Sequence, residues 1–529
     1  MKRSGPSLRV RLDLVPLSPG VGWLFLSALL GAASVLGFAP VYLFPVPIAT
    51  LAGLAWLWRR SGSAGQALAL GLGFGLGYFL TGTSWVYVSM HDFGGMAWPL
   101  AGFATVFFCS YLALFPAVAG WAFARLSAPV WARLTIVFPA LWALAEWVRG
   151  WMFTGFPWLA AGYSQSPNGP LSGFAPLLGV YGVSLLVAAS AGLLIWLAAA
   201  LAATRGEPPP SRARAMLSHP ALVVVVLLWL VGWVLQRVHW TAPAGEPVTV
   251  SLVQGNIEQD IKWHPESARA SLETYLELAL RTPGRLILLP ETALPVLNVD
   301  LPQDYLDALT RPARARGGDV LTGVAEYVQA DPPRYYNSVM SFGTRPTQAY
   351  RKYHLVPFGD YVPRWGFLTW IMSTLQIPMS DFSRGERYQR PLDVAGQRVA
   401  INICYEDAFG EEIIRQLPEA TLLANFTNDA WWGKSAASDQ HLQIAQMRSQ
   451  ETGRYMLRAT NTGVTAIIDE RGRVVDSVPQ FVIAVLEGRA QGRSGTTPYI
   501  FWGNWAFLAL VAAGLSVPLF SKRFRRRVA

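Results

Sequence analysis

Charge is scarce in this sequence. Asp, Glu, Lys and Arg make up 14% of 529 residues, against about 25% in ordinary soluble proteins. A chain so poor in charge cannot cover itself with a wholly aqueous surface, which excludes a conventional soluble enzyme. Cysteine is scarcer still, with Cys109 and Cys404 alone, so neither a disulfide framework nor a paired CxxC metal or redox site is available. The six histidines, His91, His219, His239, His264, His354 and His441, are scattered and form no HExxH. No metal and no cofactor are therefore expected. Internal repeats and low-complexity tracts are also missing.

What fills the space is apolar: 52% of the residues are hydrophobic. Seven nearly uncharged runs precede residue 240, at about 21–38, 41–58, 66–89, 96–124, 134–151, 171–203 and 220–236, and an eighth covers about 499–519. Each has about 17 residues or more, enough for a helix to cross a hydrocarbon core. The first run follows Lys2, Arg3, Arg9 and Arg11 in the manner of a secretory signal, but six further runs follow closely, so a retained helix is expected. The net charge of +10 is not gathered into a nucleic-acid-binding patch. It alternates between loops: the N-terminus, Arg59–Arg60, Arg125 with Arg133, then Arg205, Arg212 and Arg214, and finally the tail from Lys522 to Arg527. The positive-inside rule then places both termini in the cytoplasm and the segment between the seventh and eighth runs outside. The expected organisation is a seven-helix membrane domain (1–239), an external domain (240–497), and an eighth span with a basic tail (498–529).

In the external segment, short apolar runs alternate with amphipathic ones. "VTVSLVQGNI" (248–257), "RLILLPET" (285–292), "DVLTGVAEYV" (319–328), "NSVMSFG" (337–343), "RVAINICY" (398–405), "TLLANFT" (421–427) and "TGVTAIID" (462–469) read as strands. Ala268, Leu272, Tyr275, Leu276 and Ala279 line one helical face, and a second long helix is expected over about 437–459. The pattern predicts α/β layers around buried sheet.

Cys404 ends one of these strands. The acids after it, Glu406 and Asp407, are expected to raise its thiol pKa, so activation has to come from elsewhere. A lone strand-end cysteine is commonly a small core residue, yet a free thiol in an exported domain is exposed to oxidation and mispairing. Glu291 in "LLPETALP" and Lys352 in "YRKYHLVPFGDYVP" also end extended runs. Each is a weak signal alone, but a glutamate, a lysine and a cysteine each ending an extended run of one α/β domain form a stronger one.

The order Glu291, Lys352, Cys404, in "PET", "YRKYHLVPFGDYVP" and "ICYEDAF", resembles the catalytic triad of the nitrilase superfamily, whose fold is an αββα sandwich. "VQGNI", Trp263, "TNDAWWG", "QHLQIAQMR" and "RATNTG" narrow the resemblance to the bacterial apolipoprotein N-acyltransferase family. That resemblance implies Glu291 as general base and Lys352, with the Tyr405 N–H, as oxyanion donor. It implies Glu406, Asp360 and Trp263 as supporting or substrate-binding residues, with Glu406 expected to hold Lys352. Asp360 stands where the family commonly has glutamate, so any shared role must work from a shorter arm. The implied partners are the membrane, a phospholipid acyl donor (phosphatidylethanolamine) and a diacylglyceryl apolipoprotein acceptor, at the bacterial inner membrane with a periplasmic catalytic domain. The apolar segment 365–378 is too short to span a membrane and reads either as core or as a lid at the interface. A membrane-anchored amidase is the alternative from the same superfamily chemistry. A transporter is disfavoured because the visible intramembrane charges, Glu146 and Arg149, lie toward one end of their run.

Overall fold

The computed structural model describes residues 20–203, 209–258, 265–361 and 381–528. Trp263 and the segment 365–378 lie outside the described residues. Each of the eight apolar runs carries a helix: Val21–Ser34, Pro45–Arg60, Ala64–Gly82, Trp98–Arg125, Phe138–Arg149, Ala175–Ala203, Pro220–Leu235 and Trp505–Val528. Ala64–Gly82, Trp98–Arg125 and the stretch Pro170–Ala203 are long and apolar enough to cross a membrane, while Val21–Gly37, Pro220–Leu235 and Trp505–Pro518 are shorter apolar helices. The third run was expected to be helical to residue 89 but breaks at Gly82, resuming as the short turns Trp85–Val88 and Ser89–Phe93.

Small residues let these helices approach closely. A Cβ added at Gly75 would stand 2.6 Å from the Ala113 Cα, so Ala64–Gly82 and Trp98–Arg125 meet backbone to backbone. The opposite face of Trp98–Arg125 leaves Phe103, Phe107, Leu114 and Val118 exposed. Such a patch is out of place in water and suited to lipid.

The rest of the chain builds two six-stranded sheets. One runs in the order Ala484–Ala490, Val248–Gln254, Leu286–Leu297, Asp319–Val328, Arg334–Gly343, Ala349–Arg351. The other runs Val474–Val478, Thr465–Ile468, Met456–Thr460, Leu422–Thr427, Gln397–Ile403, Leu392–Val394. The period of two along each strand divides the side chains between two cores. Leu286 and Leu288 meet Val399, Ile401, Ile403 and Phe426 between the sheets. Ile287 and Leu289 point the other way, onto Tyr275, Ala279, Leu309 and Ala313 of the helices Pro265–Leu280 and Gln303–Arg314. Ala400 and Leu423 likewise face Leu442 and Ala445 of the helix Ala437–Thr452. Strands buried on both faces read as continuous apolar runs, which is why they were legible.

Two expectations need correction. The helix expected over 437–459 ends at Thr452, where Gly453 takes a left-handed conformation (φ 62°) and so stops it. The residues Met456–Thr460 then form a strand, pairing in parallel with Leu422–Thr427. The strand Ala484–Ala490 was not anticipated because Glu487, Gly488 and Arg489 interrupt its apolar pattern. It pairs antiparallel with Val248–Gln254 at the sheet edge.

Candidate active site

The three candidate residues converge, but Glu291, expected to close its strand, lies within Leu286–Leu297, whereas Lys352 and Cys404 each follow a strand end. Cys404 follows Gln397–Ile403 with φ 54°, a left-handed backbone that non-glycine residues seldom adopt, and it opens a short 3₁₀ helix, Cys404–Ala408. The strand is thereby stopped sharply at the thiol. Glu291 lies in Leu286–Leu297 where pairing with Asp319–Val328 loses register between Leu289 and Leu294. The opposing Gly323 makes room: a Cβ there would lie 2.7 Å from the Glu291 Cα. Lys352 follows Ala349–Arg351, and its amide donates to the Asn337 carbonyl at 2.8 Å.

Lys352 is 2% exposed, with Nζ 2.7 Å from Asp360 Oδ2 and 3.5 Å from Glu291 Oε1. The shorter Asp360 therefore still reaches the ammonium, and the Val356 amide holds it at 2.8 Å. Asn337 Nδ2 donates to Glu291 Oε1 at 2.8 Å, and the Asn428 amide donates to Oε2 at 3.0 Å. Burial alone would lower the Lys352 pKa, but Asp360 and then Glu291 outweigh it and hold the ammonium above the ordinary lysine range. Burial, followed by the Glu291 carboxylate, pushes the Cys404 thiol well up, against opposing pulls from Lys352 and the Thr427 hydroxyl.

Thus the thiol is raised as expected, but for a different reason. Burial and Glu291 lead, whereas the adjacent acids are turned elsewhere. Asp407 faces His441 Nε2 at 2.8 Å. Glu406 does not hold the Lys352 ammonium as anticipated. It accepts from the amides of Ile403 (2.7 Å), Tyr353 (2.7 Å) and His354 (3.0 Å) and from the Tyr350 hydroxyl (3.2 Å). It thereby staples the backbone after Lys352 to the backbone before Cys404. Burial pushes its pKa up to about 7, although the His354 and Ile403 amides favour the carboxylate.

Tyr405 carries the site onto the helical bundle. Its ring stacks on Phe156 and Trp158, both at 6.2 Å, and its hydroxyl donates to the Gly155 carbonyl at 3.3 Å. Arg149 shapes that loop by donating to the carbonyls of Phe156 and Trp158, and Glu146 accepts from the Ala161 amide at 2.9 Å. The contacts of Glu146 and Arg149 are those of scaffolding.

Sequence reasoning missed Asn337, Thr427, Asp429, His441 and Arg458. All but Asn337 sit in motifs quoted for the family resemblance, and Asn337 opens "NSVMSFG", but the linear sequence gives no sign of what any of them touches.

Two family models match the chain, "Apolipoprotein N-acyltransferase N-terminal domain" over residues 30–193 and "Carbon-nitrogen hydrolase" over residues 249–497. An apolipoprotein N-acyltransferase from Nitrosomonas europaea is 54% identical over 499 residues, covering 93% of this chain and 97% of that one. Proteins of the same name from Chromobacterium violaceum and Methylococcus capsulatus are each 44% identical, covering 91% and 92% of this chain and 90% and 94% of theirs. Likeness at this level over nearly the whole length, with both halves matched in order, means that the chain belongs to the apolipoprotein N-acyltransferase family.

Proposed function

We propose that this acyltransferase moves an acyl chain from a phospholipid to the α-amino group of the diacylglyceryl-cysteine that begins an apolipoprotein, through a thioester on Cys404. The observation that carries the reading is the buried contact of Glu291 and Lys352 beside Cys404, joined through Tyr405 to the bundle. A raised thiol pKa keeps the sulfur protonated at rest, so attack on an ester requires a base at hand. Glu291 accepts the proton as the sulfur–carbon bond forms and returns it to the departing lysophospholipid oxygen. Lys352, kept charged by its carboxylate partners, stabilises the oxyanion together with the Tyr405 N–H. In the second half the acceptor amine attacks the thioester, its proton passes to Glu291 and on to the departing sulfur, and the resting thiol and carboxylate are restored.

We further assign all eight helices as membrane crossings, with residues 1–239 as the first membrane domain, 240–497 as the periplasmic catalytic domain, and 498–529 as the last span and cytoplasmic tail. The alternation of basic loops supports this topology. Phosphatidylethanolamine is the proposed donor at the bacterial inner membrane.

The test is incubation with labelled phosphatidylethanolamine followed by mass analysis of the peptide bearing Cys404. An acyl adduct that persists in buffer and discharges on adding a diacylated lipopeptide is expected, since the amine is a better nucleophile than water. Equal thioester lifetimes with and without acceptor, with free fatty acid released, would instead make the chain a membrane-anchored hydrolase.

A further inference from the structure

Beneath the nucleophile lies a second charged cluster that the two-step scheme does not use. Asp407, His441 and Arg458 are each 0% exposed and Asp429 is 1% exposed. His441 Nε2 faces Asp407 Oδ1 at 2.8 Å and the Cys404 carbonyl at 3.3 Å, while Nδ1 faces Asp429 Oδ1 at 3.2 Å. Arg458 donates to Asp429 Oδ2 at 3.0 Å and to Asn425 Oδ1 at 2.7 Å. Asn425 Nδ2 in turn donates to the Cys404 carbonyl at 3.1 Å. Arg458 Nη2 also lies 2.8 Å from His441 Nδ1, so protonating His441 would make the four charges cancel while turning an N–H toward that guanidinium. Burial and Arg458 both oppose that protonation, but Asp407 and Asp429 prevail and raise the His441 pKa.

One side chain connects this cluster to the thiol. In the parallel pairing of Gln397–Ile403 with Leu422–Thr427, Ile403 lies opposite Phe426, so Thr427 ends its strand beside Cys404. The next amide, that of Asn428, donates to Glu291 Oε2 at 3.0 Å. Thr427 therefore ends its strand next to the nucleophile and precedes the residue whose amide holds the base. Its hydroxyl donates to Asp429 Oδ1 at 2.9 Å. A hydroxyl has a single proton, so at rest it presents a lone pair to the sulfur.

We propose that Thr427 is a further catalytic residue, whose hydroxyl accepts from the Cys404 thiol at rest and turns to donate to the thiolate during attack. This rests on Cys404 being the nucleophile. The thiol proton passes to Glu291, the Thr427 proton stays on its own oxygen, and only the direction of its hydrogen bond changes. Asp429 is not stranded when the hydroxyl turns away, because Arg458 remains on it at 3.0 Å. The cluster thus has a positioning role: it compensates Asp429 and, through His441 and Asn425, holds the Cys404 carbonyl in its left-handed turn. A hydrogen bond from Thr427 also favours the ionised sulfur electrostatically. The other groups that set the thiol's titration are Glu291 and Lys352 from the facing sheet, with Asp360 behind Lys352. Asp429 acts from the far side, with His441 and Arg458 packed against it, and Glu406 and Asp407 on the thiol's own turn are bound to amides and to His441.

The test uses the full chain in a Cys109→Ser background, so that Cys404 is the one thiol. Thr427→Val keeps the side-chain shape and removes the hydroxyl, and Thr427→Ser restores it. Two rates are measured, alkylation of Cys404 by iodoacetamide across pH and acyl-enzyme formation from phosphatidylethanolamine. In Thr427→Val the alkylation profile should move to higher pH and acyl-enzyme formation should fall about 10- to 100-fold, the worth of one hydrogen bond to a charged group. Thr427→Ser should recover both. A valine variant with the parent's pH profile overturns the proposal, whether acylation is unchanged or merely slowed by altered packing. Failure of the Cys404 reading itself is separable, since it would appear before any change at Thr427 as acyl transfer by the parent chain with no adduct on Cys404.

Discussion

Replacing Lys352 by methionine should separate what this lysine does for the reaction from what it does for the fold. At an effective dielectric of about 20, charges 2.7 and 3.5 Å apart attract by about 6 and about 5 kcal/mol. The two values are close, so Lys352 serves Asp360 and Glu291 alike. Methionine fills most of the volume but leaves two carboxylates facing each other across Asn337, which donates to Glu291 at 2.8 Å and to Asp360 at 3.4 Å. Breaking a buried pair in this way costs about 3–5 kcal/mol. The uncompensated carboxylates should then titrate with a raised pKa in the folded state. Stability tied to a raised folded pKa is present in full below the unfolded value and is lost as pH rises through the folded one. The variant's deficit in thermal stability should therefore be largest near pH 8 and shrink toward pH 4–5. The double variant Lys352→Met/Asp360→Asn should recover much of the stability at neutral pH. Neither condition should restore acyl-enzyme formation, because the oxyanion has lost its cation, a loss of about 10²–10³ in rate. Thermal shift in detergent at several pH values, alongside acyl-enzyme formation, reads both quantities. Restored acylation in the stable double variant would refute the oxyanion role, and a pH-independent deficit would refute the electrostatic account.

Other changes give distinct outcomes. Cys404→Ser should abolish the acyl-enzyme while the protein stays folded, and Cys109→Ser, at a buried position on Trp98–Arg125, should transfer normally; loss in both would remove the distinction drawn between them. Glu406 is pushed from 4.5 to about 7, so its contribution to wild-type stability is full below about 4.5 and lost as pH rises through about 7. Glu406→Gln should flatten that dependence while lowering overall stability by about 1–3 kcal/mol through the amide it turns away; an unchanged stability–pH curve would contradict this. Tyr405→Phe keeps both ring stacks and gives up one 3.3 Å hydrogen bond, so transfer should change little. Tyr405→Ala removes its two ring contacts with the bundle, worth about 1–3 kcal/mol together, along with those to His354 and Phe409, and should slow transfer clearly; equal activities for the two variants would show that docking on the bundle is immaterial.

The sequence by itself determined the elements that depend on local pattern. Eight uncharged runs had to become helices, and strands apolar on both faces had to be buried, because periodicity and composition act within a few residues of chain. Lys352 and Cys404 could be picked out for the same reason, each a chemically active side chain closing an extended run, whereas Glu291, read the same way, lies inside a strand that continues to Leu297. Tertiary structure alone decided which groups meet. Glu406 turned out to bind amides rather than the lysine, and Asp360 rather than Glu406 took the ammonium, since those choices depend on loops brought together from distant parts of the chain. The helix Ala437–Thr452 makes the point most clearly. Its residues "QHLQIAQMRSQE" are largely polar, yet nearly all of it is buried. One side lies on the second sheet. The other supplies Gln440 to the Trp158 indole N–H at 2.6 Å, Gln443 to the Ala39 amide at 3.0 Å and to the Ser166 carbonyl at 3.0 Å, and Glu451 to the Val180 amide at 2.7 Å. The bundle presents broken helix ends and loop amides there, backbone groups that water would otherwise satisfy, and polar side chains are what can replace it. No pattern within residues 437–452 could announce that, because the need for those side chains arises in residues 39–180.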